Sequence, residues 1–259
     1  MGIVNVTPDS FFPGSRTMGR GEIACRVERL LEDGADFIDI GAYSSRPGAK
    51  DVSPEEEIDR LGVGLEVIRG IDKNVPVSVD TFRANVARHA ISVMGADIIN
   101  DISGGTLDSS MFATAAELKV PYILMHMRGT PATMQKYTDY SDVAADVLFD
   151  LSVKLRELRL MGVADVIIDP GFGFSKTFEQ NYELMKALDA YEEALESPLL
   201  VGISRKSMIT RALGVTSDEA LNGTTVLNTI ALMRGASFLR VHDVKEAVQA
   251  RTLYELSTK

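Results

Sequence analysis

The sequence predicts an α/β fold, a (β/α)8 TIM barrel forming a single domain. Three observations predict it. Eight short runs rich in β-branched residues alternate strictly with longer amphipathic segments, the pattern of repeated β-α units. Each short run is almost continuously apolar, as expected for parallel strands covered on both faces. The length of 259 residues matches one such barrel, at about 250 residues. An open doubly wound sheet shares the alternation, but no G-x-G-x-x-G follows the first strand, which weakens a dinucleotide-binding version.

In chain order, strands are expected over residues 2–6, 36–41, 75–79, 97–100, 121–125, 165–169, 199–203 and 237–241. Helices are expected over 20–32, 54–69, 83–94, 109–118, 141–161, 178–195, 222–234 and 244–256. In the first helix Ile23, Val27, Leu30 and Leu31 form an apolar stripe, and Cys25 among them is expected to be a buried structural thiol. Ser53 before Pro54, with Glu56 three residues on, marks the start of the second helix. The acidic stretch PEEEID that follows reads as a solvated first turn complementing the helix dipole. Gly34, Gly70, Gly95, Gly162 and Gly235 are expected near helix ends. The first strand begins at residue 2, so the domain is expected to span 1–259 without an extension ahead of that strand.

Hydrophobic residues make up 45% and charged residues 25%, with 21 Gly and 9 Pro, which excludes a disordered or collagen-like chain. The 27 Lys+Arg against 37 Asp+Glu give a formal net charge of -10, a poor match to a nucleic-acid or anionic-membrane binder. A small anionic substrate needs only a local basic pocket. A single cysteine forbids an intrachain disulfide and points to a reducing compartment. No apolar run approaches a membrane span. The opening MGIVNVTPDS lacks the basic start and apolar core of a signal peptide, so a cytoplasmic protein is expected.

In such a barrel the site lies at the carboxyl ends of the strands. Those ends carry Asn5, Thr7 and Asp9; Ser44, Ser45, Arg46 and Pro47; Asp80 and Thr81; Asn100 and Asp101; His126 and Arg128; Asp169 and the Gly-rich PGFGF; Ser204, Arg205, Lys206 and Ser207; and Arg240, His242 and Asp243. Thr81, Asp101 and Asp243 are explained as helix caps. Asn5, Asp80, Asn100 and Asp169 are not, because a carboxylate or amide at a strand end is costly unless it binds something. Asp80, Asn100 and Asp169 suit a flat heterocycle with amino and ring N–H donors. Arg46, Arg205, Lys206, Arg240 and His242 are expected to make the mouth basic and to hold a phosphate or carboxylate. The expected ligand is a polar heterocycle carrying an anion.

At these residues the sequence resembles the dihydropteroate synthase family. The segments GIVNVTPDSF (2–11), DIGAYSSRPGA (39–49), SVDT (78–81), INDISGG (99–105), MHMRGTP (125–131), DPGFGF (169–174), GISRKSM (202–208) and RVHD (240–243) match its motifs in order along the whole chain. Tyr43 and Ser44 replace a common Glu-Ser pair, and Phe12 and Pro13 also depart from the usual pattern. The resemblance implies condensation of 6-hydroxymethyl-7,8-dihydropterin diphosphate with 4-aminobenzoate, giving 7,8-dihydropteroate and diphosphate. It implies a pterin pocket of Asp80, Asn100, Asp169 and Lys206, walled by Ile102, Met125 and Gly202, with Arg240 on the pterin or the anion. It places Asn5, Ser45, Arg46, Arg240 and His242 on diphosphate, and Asn5 on Mg²⁺. It places Ser45, Arg46, Pro47, Phe174, Lys206 and Ser207 around 4-aminobenzoate. Lys206, Arg240 and Asp80 would carry catalysis. A homodimer and sensitivity to sulfonamides follow from the same resemblance. The rival readings are a corrinoid-linked pterin methyltransferase of the same fold and a non-catalytic pterin-binding homologue. The former gives no reason for the SRKS and SSRPG segments, and the latter none for Asn5, Lys206 and Arg240 together. His126, flanked by Met125 and Met127, reads as a core or rim histidine, and His89 as a surface or packing residue. Three histidines without an H-x-x-x-H pair argue against zinc. Phe172 and Phe174 are expected at the mouth, unlike the other phenylalanines.

Overall fold

A computed structural model describes residues 1–7, 19–43 and 52–258. Eight short strands form one curled parallel sheet in chain order: β1 (Gly2–Asn5), β2 (Ile38–Gly41), β3 (Val77–Asp80), β4 (Ile98–Asp101), β5 (Tyr122–Met125), β6 (Val166–Asp169), β7 (Leu199–Val201) and β8 (Ala236–Leu239). The two ends of that order meet. Gly2 forms a parallel bridge with Val241, the Ile3 N–H donates to the Val241 carbonyl at 3.1 Å, and the Val241 N–H donates to the Met1 carbonyl at 3.0 Å.

The helices among the described residues are α1 (Arg20–Glu32), α2 (Pro54–Ile71), α3 (Ala84–Ser92), α4 (Met111–Leu118), α5 (Val143–Leu160), α6 (Phe178–Lys186), α7 (Leu188–Leu195), α8 (Ser207–Leu213), α9 (Leu221–Met233) and α10 (Val244–Thr258). Their starts are chemically marked. The Ser53 hydroxyl accepts from the Glu56 N–H at 3.2 Å ahead of α2, and Asp142 accepts from the Ala145 N–H at 3.0 Å ahead of α5. Thr177 and Gln180 exchange side-chain-to-backbone bonds at 3.2 and 2.8 Å to open α6. Each satisfies amide hydrogens that the first helical turn leaves unpaired.

The period of two along each strand sorts the core and the site. Val77, Val79, Ile99, Tyr122, Leu124, Val166 and Ile168 pack into one large cluster shared with the helices. Ile98, Ile123, Ile167 and Leu200 form a second cluster with Phe37 and Phe238 on the other face, each side chain contributing about 1.5–3 kcal/mol. Two residues further along the same strands, the positions become Asn100, Met125 and Asp169. Apolar filling therefore closes one end of this inner face, and polar groups are left at the carboxyl end.

Several expectations change. The helix expected over 178–195 is two, α6 and α7, meeting at Ala187, whose N–H is shared between the Glu183 and Leu184 carbonyls, both at 3.2 Å. Helix α8 was not expected. Gly70 lies near the end of α2 as expected, and the helix runs to Ile71, two residues beyond its expected bound. Glu57 belongs to the buried stripe of Leu61, Leu65 and Ile68 rather than to solvent: it is fully buried and paired with Arg83 at 2.5 Å. Cys25 is exposed, because two residues after buried Ile23 a helix has turned about 200°. Phe172 is fully buried in the helix-side core, not in the mouth.

Candidate active site

The carboxyl ends of β2, β3, β4 and β8 meet in a hydrogen-bonded chain of four side chains. The Asn100 amide donates to Asp39 Oδ1 at 3.1 Å. Arg240 Nε donates to Asp39 Oδ2 at 2.7 Å, and Arg240 Nη2 donates to Asp80 Oδ2 at 2.8 Å. Asp39 has no exposed surface. Burial lowers the Arg240 guanidinium, but Asp39 and Asp80 outweigh it and hold the group charged above its usual range. Burial pushes the Asp80 carboxyl up to about 7 against the opposing pull of Arg240. One guanidinium thus neutralises one of two carboxylates and fixes both.

The other side of the mouth is built by the ends of β6 and β7. Asp169 accepts from the Gly171 N–H at 2.8 Å, and burial raises its carboxyl above the ordinary range although Lys206 pulls it down. Lys206 precedes α8 and donates from Nζ to the Phe172 carbonyl at 2.7 Å. The same ammonium lies 4.7 Å from the centre of the Phe174 ring. Burial brings Lys206 down to about 8. Gly171 holds φ +74, and a Cβ there would fall 2.0 Å from the His126 carbonyl oxygen, so only glycine lets this loop lie on the end of β5.

An apolar wall completes the mouth. Ile102 and Met125 are buried with Met127 and Met134, and Phe82, Leu107 and Phe174 pack on them. Gly202 lies beside the cations, its would-be Cβ 3.8 Å from Arg240 Cβ and 4.0 Å from Lys206 Nζ. Ser207 is exposed as the first residue of α8. Asn5 ends β1, half-buried, with Gly41 as its register partner. The half-buried His242 donates its backbone N–H to Ser204 Oγ at 3.2 Å.

The structure thus brings together Asp80, Asn100, Asp169, Lys206, Arg240, Ile102, Met125, Gly202 and Phe174. Asp9, Ser44, Ser45, Arg46 and Pro47 lie outside the described residues, as do Phe12 and Pro13. The expectation of a basic mouth is corrected for the described part. Arg240 is held between two carboxylates, and Arg205 is held bidentately by Asp243 at 2.8 and 2.9 Å. Burial, with Arg240 nearby, lowers His242 to about 4, so its imidazole is neutral at pH 7. Asp101 is not a helix cap. It takes the Ser103 and Gly105 N–H groups at 2.8 and 2.7 Å and the Tyr122 hydroxyl at 2.6 Å, and so shapes the turn after β4. His126 is buried, in agreement with a core histidine.

Sequence reasoning missed three residues. Asp39 is the acceptor on which Asn100 and Arg240 both depend; a lone carboxylate inside an apolar strand was the available signal. Lys176 is almost fully buried beneath the loop after β6. Asn181, on α6, accepts from the Gly173 N–H at 2.6 Å and anchors that loop.

With this geometry in view, comparison with known proteins is decisive. Residues 1–242 match the family described as pterin binding enzyme. The chain belongs to that family. It is 41% identical over 259 residues to the dihydropteroate synthase of Clostridium beijerinckii, covering 99% of this chain and 93% of the relative. Among solved structures it is similar to the Yersinia pestis dihydropteroate synthase in a sulfonamide drug complex, at 38% identity and a TM-score of 0.92, covering 99% of this chain and 92% of that one. It is also similar to the Xanthomonas albilineans dihydropteroate synthase with 4-aminobenzoic acid, at 37% identity and a TM-score of 0.90, covering 99% and 91%. Against the longer folate synthesis bifunctional proteins of Arabidopsis thaliana it is 40% and 41% identical and spans about half their length, 55% and 48%. No helix among the described residues is long and apolar enough to cross a membrane.

Proposed function

We propose that this chain is a dihydropteroate synthase, joining 6-hydroxymethyl-7,8-dihydropterin diphosphate to 4-aminobenzoate and releasing diphosphate and 7,8-dihydropteroate. The observation that carries the reading is the convergence of Asp80, Asn100, Asp169, Lys206 and Arg240 on one mouth beside an apolar wall. Similarity to dihydropteroate synthases along nearly the whole chain supports it.

In the proposed reaction the methylene C–O bond breaks and its electron pair leaves with the diphosphate oxygen. The methylene cation left behind is conjugated with the pterin ring. The arylamine nitrogen donates its lone pair to form the C–N bond and then loses a proton to solvent. Asp169 and Asn100 grip the edge of the heterocycle, and Ile102 and Met125 face its apolar surface. The Asp80 carboxylate, oriented by Arg240, opposes the positive charge that develops on the ring. Lys206, backed by the Phe172 carbonyl, stands beside Phe174, where it orients the heterocycle and faces the 4-aminobenzoate side. Ser207 and Ser45, Arg46 and Pro47 complete the 4-aminobenzoate site. Arg240, His242, Ser45 and Arg46 hold the diphosphate.

Magnesium is part of the proposal. Among the described residues no group of three or more His, Cys, Asp or Glu is arranged to hold a metal. The donor implied here is the single neutral amide oxygen of Asn5. That set fits Mg²⁺, which takes oxygen ligands, keeps several waters and is commonly carried on substrate phosphates. When bound it would neutralise charge on the departing diphosphate.

The eight strands are proposed to close as a (β/α)8 barrel over one domain, supported by the hydrogen bonds between β1 and the segment after β8. A homodimer is proposed, supported by exposed Met233 on α9 and Leu253 and Leu256 on the adjacent α10. The cytoplasm and inhibition by sulfonamides are proposed with the activity. The test is mass-spectrometric detection of 7,8-dihydropteroate after incubation with both substrates and Mg²⁺. Product that depends on all three is expected; no product above a protein-free blank would overturn the reading.

A further inference from the structure

Lys176 is a buried amine that the proposed chemistry does not use; burial brings it down to about 7, although Asp169 pulls the other way. It is 3% exposed, and each of its three ammonium hydrogens has an acceptor in reach. Nζ lies 2.9 Å from the Gly171 carbonyl, 3.1 Å from the Phe174 carbonyl and 3.1 Å from His126 Nδ1. In its charged form the amine has three donors and no acceptor, and the site then satisfies all three. Burial drives the His126 imidazole down to about 2, and a neutral ring can present Nδ1 as an acceptor.

These three acceptors have a common geometry. His126 follows β5, and Gly171 and Phe174 bracket the turn after β6. The stretch between them carries Phe172, whose carbonyl holds Lys206 Nζ at 2.7 Å, and Phe174, whose ring faces the same ammonium at 4.7 Å. The turn leaves its strand at Asp169, which is itself fixed by register with Met125. Ser175, in the left-handed region at φ +45, accepts from the Arg128 N–H at 3.0 Å and leads directly into Lys176. The backbone from 171 to 174 is thus held by Lys176 at Gly171 and Phe174 and by Asn181 at Gly173.

We propose that Lys176 is a positioning residue for the transfer reaction: by tying the Gly171 and Phe174 carbonyls to His126, it sets the turn that orients Lys206 and the Phe174 ring on the 4-aminobenzoate side. The inference rests on the dihydropteroate synthase reading. It separates two parts of the mouth. Asp80 and Asn100 lie on strands away from the turn; Lys206 and Phe174 depend on the turn, and Asp169 meets it only through the Gly171 N–H.

The test is Lys176→Met, which keeps length and apolar stem and removes all three donors. Steady-state diphosphate release is measured with each substrate varied, pterin diphosphate affinity by calorimetry, and stability by urea unfolding. Per folded molecule, kcat falls and the 4-aminobenzoate KM rises, each on the order of tenfold, from a sub-ångström shift of the turn. Pterin diphosphate affinity falls by no more than about threefold, since Asp80 and Asn100 hold the heterocycle from strands and only Lys206 and Asp169 meet the turn. Lys176→Gln, whose amide restores two of the N–H donors, recovers part of the loss. Unchanged kinetics with lowered stability alone would overturn the inference, and so would an equal loss of pterin affinity. If Lys176→Met does not fold, Lys176→Gln is read in its place; failure of both to fold makes the lysine a requirement of the fold and also overturns it. A wild-type protein that releases no diphosphate overturns the functional reading and this inference with it, whereas an active wild type with unaltered variants overturns the inference alone.

Discussion

Asp39→Asn is the substitution that most severely tests the geometry of the mouth. In the native structure both carboxylate oxygens accept, one from Asn100 Nδ2 and the other from Arg240 Nε. An asparagine has one acceptor and one donor in their place. With Asn100 kept in its native orientation, whichever way the new amide is turned an N–H meets an N–H. That leaves a buried donor unpaired, at about 1–3 kcal/mol. Arg240 also loses one of its two carboxylates and keeps only Asp80, and removing one partner of a buried pair costs about 3–5 kcal/mol. Since the two terms overlap at the same atoms and Asp80 remains, about 3 kcal/mol is expected in all. Urea unfolding of wild type and variant measures this directly. Arg240 will no longer be fixed from both sides, so kcat/KM for diphosphate release drops at least about tenfold, given that roughly 1 Å of misplacement can cost 10²-fold. A loss of stability below about 0.5 kcal/mol, the range of ordinary surface changes, together with unaltered kcat/KM, would refute the assignment of Asp39 as the hub of the site.

Three further outcomes follow from the same structure. Asp169→Asn places a donor where the Gly171 N–H already donates to an acceptor, and weakens calorimetrically measured pterin diphosphate binding by about 1–3 kcal/mol, or roughly 5–150-fold; unchanged affinity would remove Asp169 from the pocket. Lys206 is lowered from 10.5 to about 8, so its charged form is present below pH 8 and lost above it; the rate of diphosphate release should decline as pH rises through about 8, and Lys206→Arg should abolish that limb in whatever activity it retains. Cys25 is exposed on α1, so a thiol-specific reagent modifies one cysteine per chain in the native protein without urea; modification that appears only on unfolding would contradict its placement.

The alternation of strands and helices was legible because a parallel sheet covered on both faces demands apolar runs, and a helix demands its own spacing. The individual side chains at the strand ends were legible for the same reason: Asp80, Asn100 and Asp169 interrupt apolar runs where burial makes a polar group costly. Their partners were not. Asp39 interrupts its strand in the same way, but nothing local distinguishes a residue that meets ligand from one that meets Arg240 across the sheet. Counting Arg205, Arg240 and His242 as positive overestimated the charge of the mouth, because pairing with Asp243, Asp39 and Asp80 and the burial of the imidazole are tertiary effects. The break at Ala187 carries no Gly or Pro, and α8 is only seven residues long, too short for periodicity to register. Cys25 and Glu57 were misplaced for a simpler reason. In α1 and α2 the buried stripes run through Ile23, Val27 and Leu30 and through Glu57, Leu61 and Leu65, and residue type was given more weight than angular position.

In the proposed reaction this mouth breaks a pterin diphosphate and delivers its methylene to an arylamine. The most direct test is diphosphate release by the wild-type protein, measured with each of pterin diphosphate, 4-aminobenzoate and Mg²⁺ omitted in turn. Release is expected with all three present, in equal amount to 7,8-dihydropteroate, and is expected to be lost when pterin diphosphate or Mg²⁺ is left out or when Lys206 is replaced by alanine. Release in equal amount whether or not Lys206 is present, or none with all three components, would contradict it.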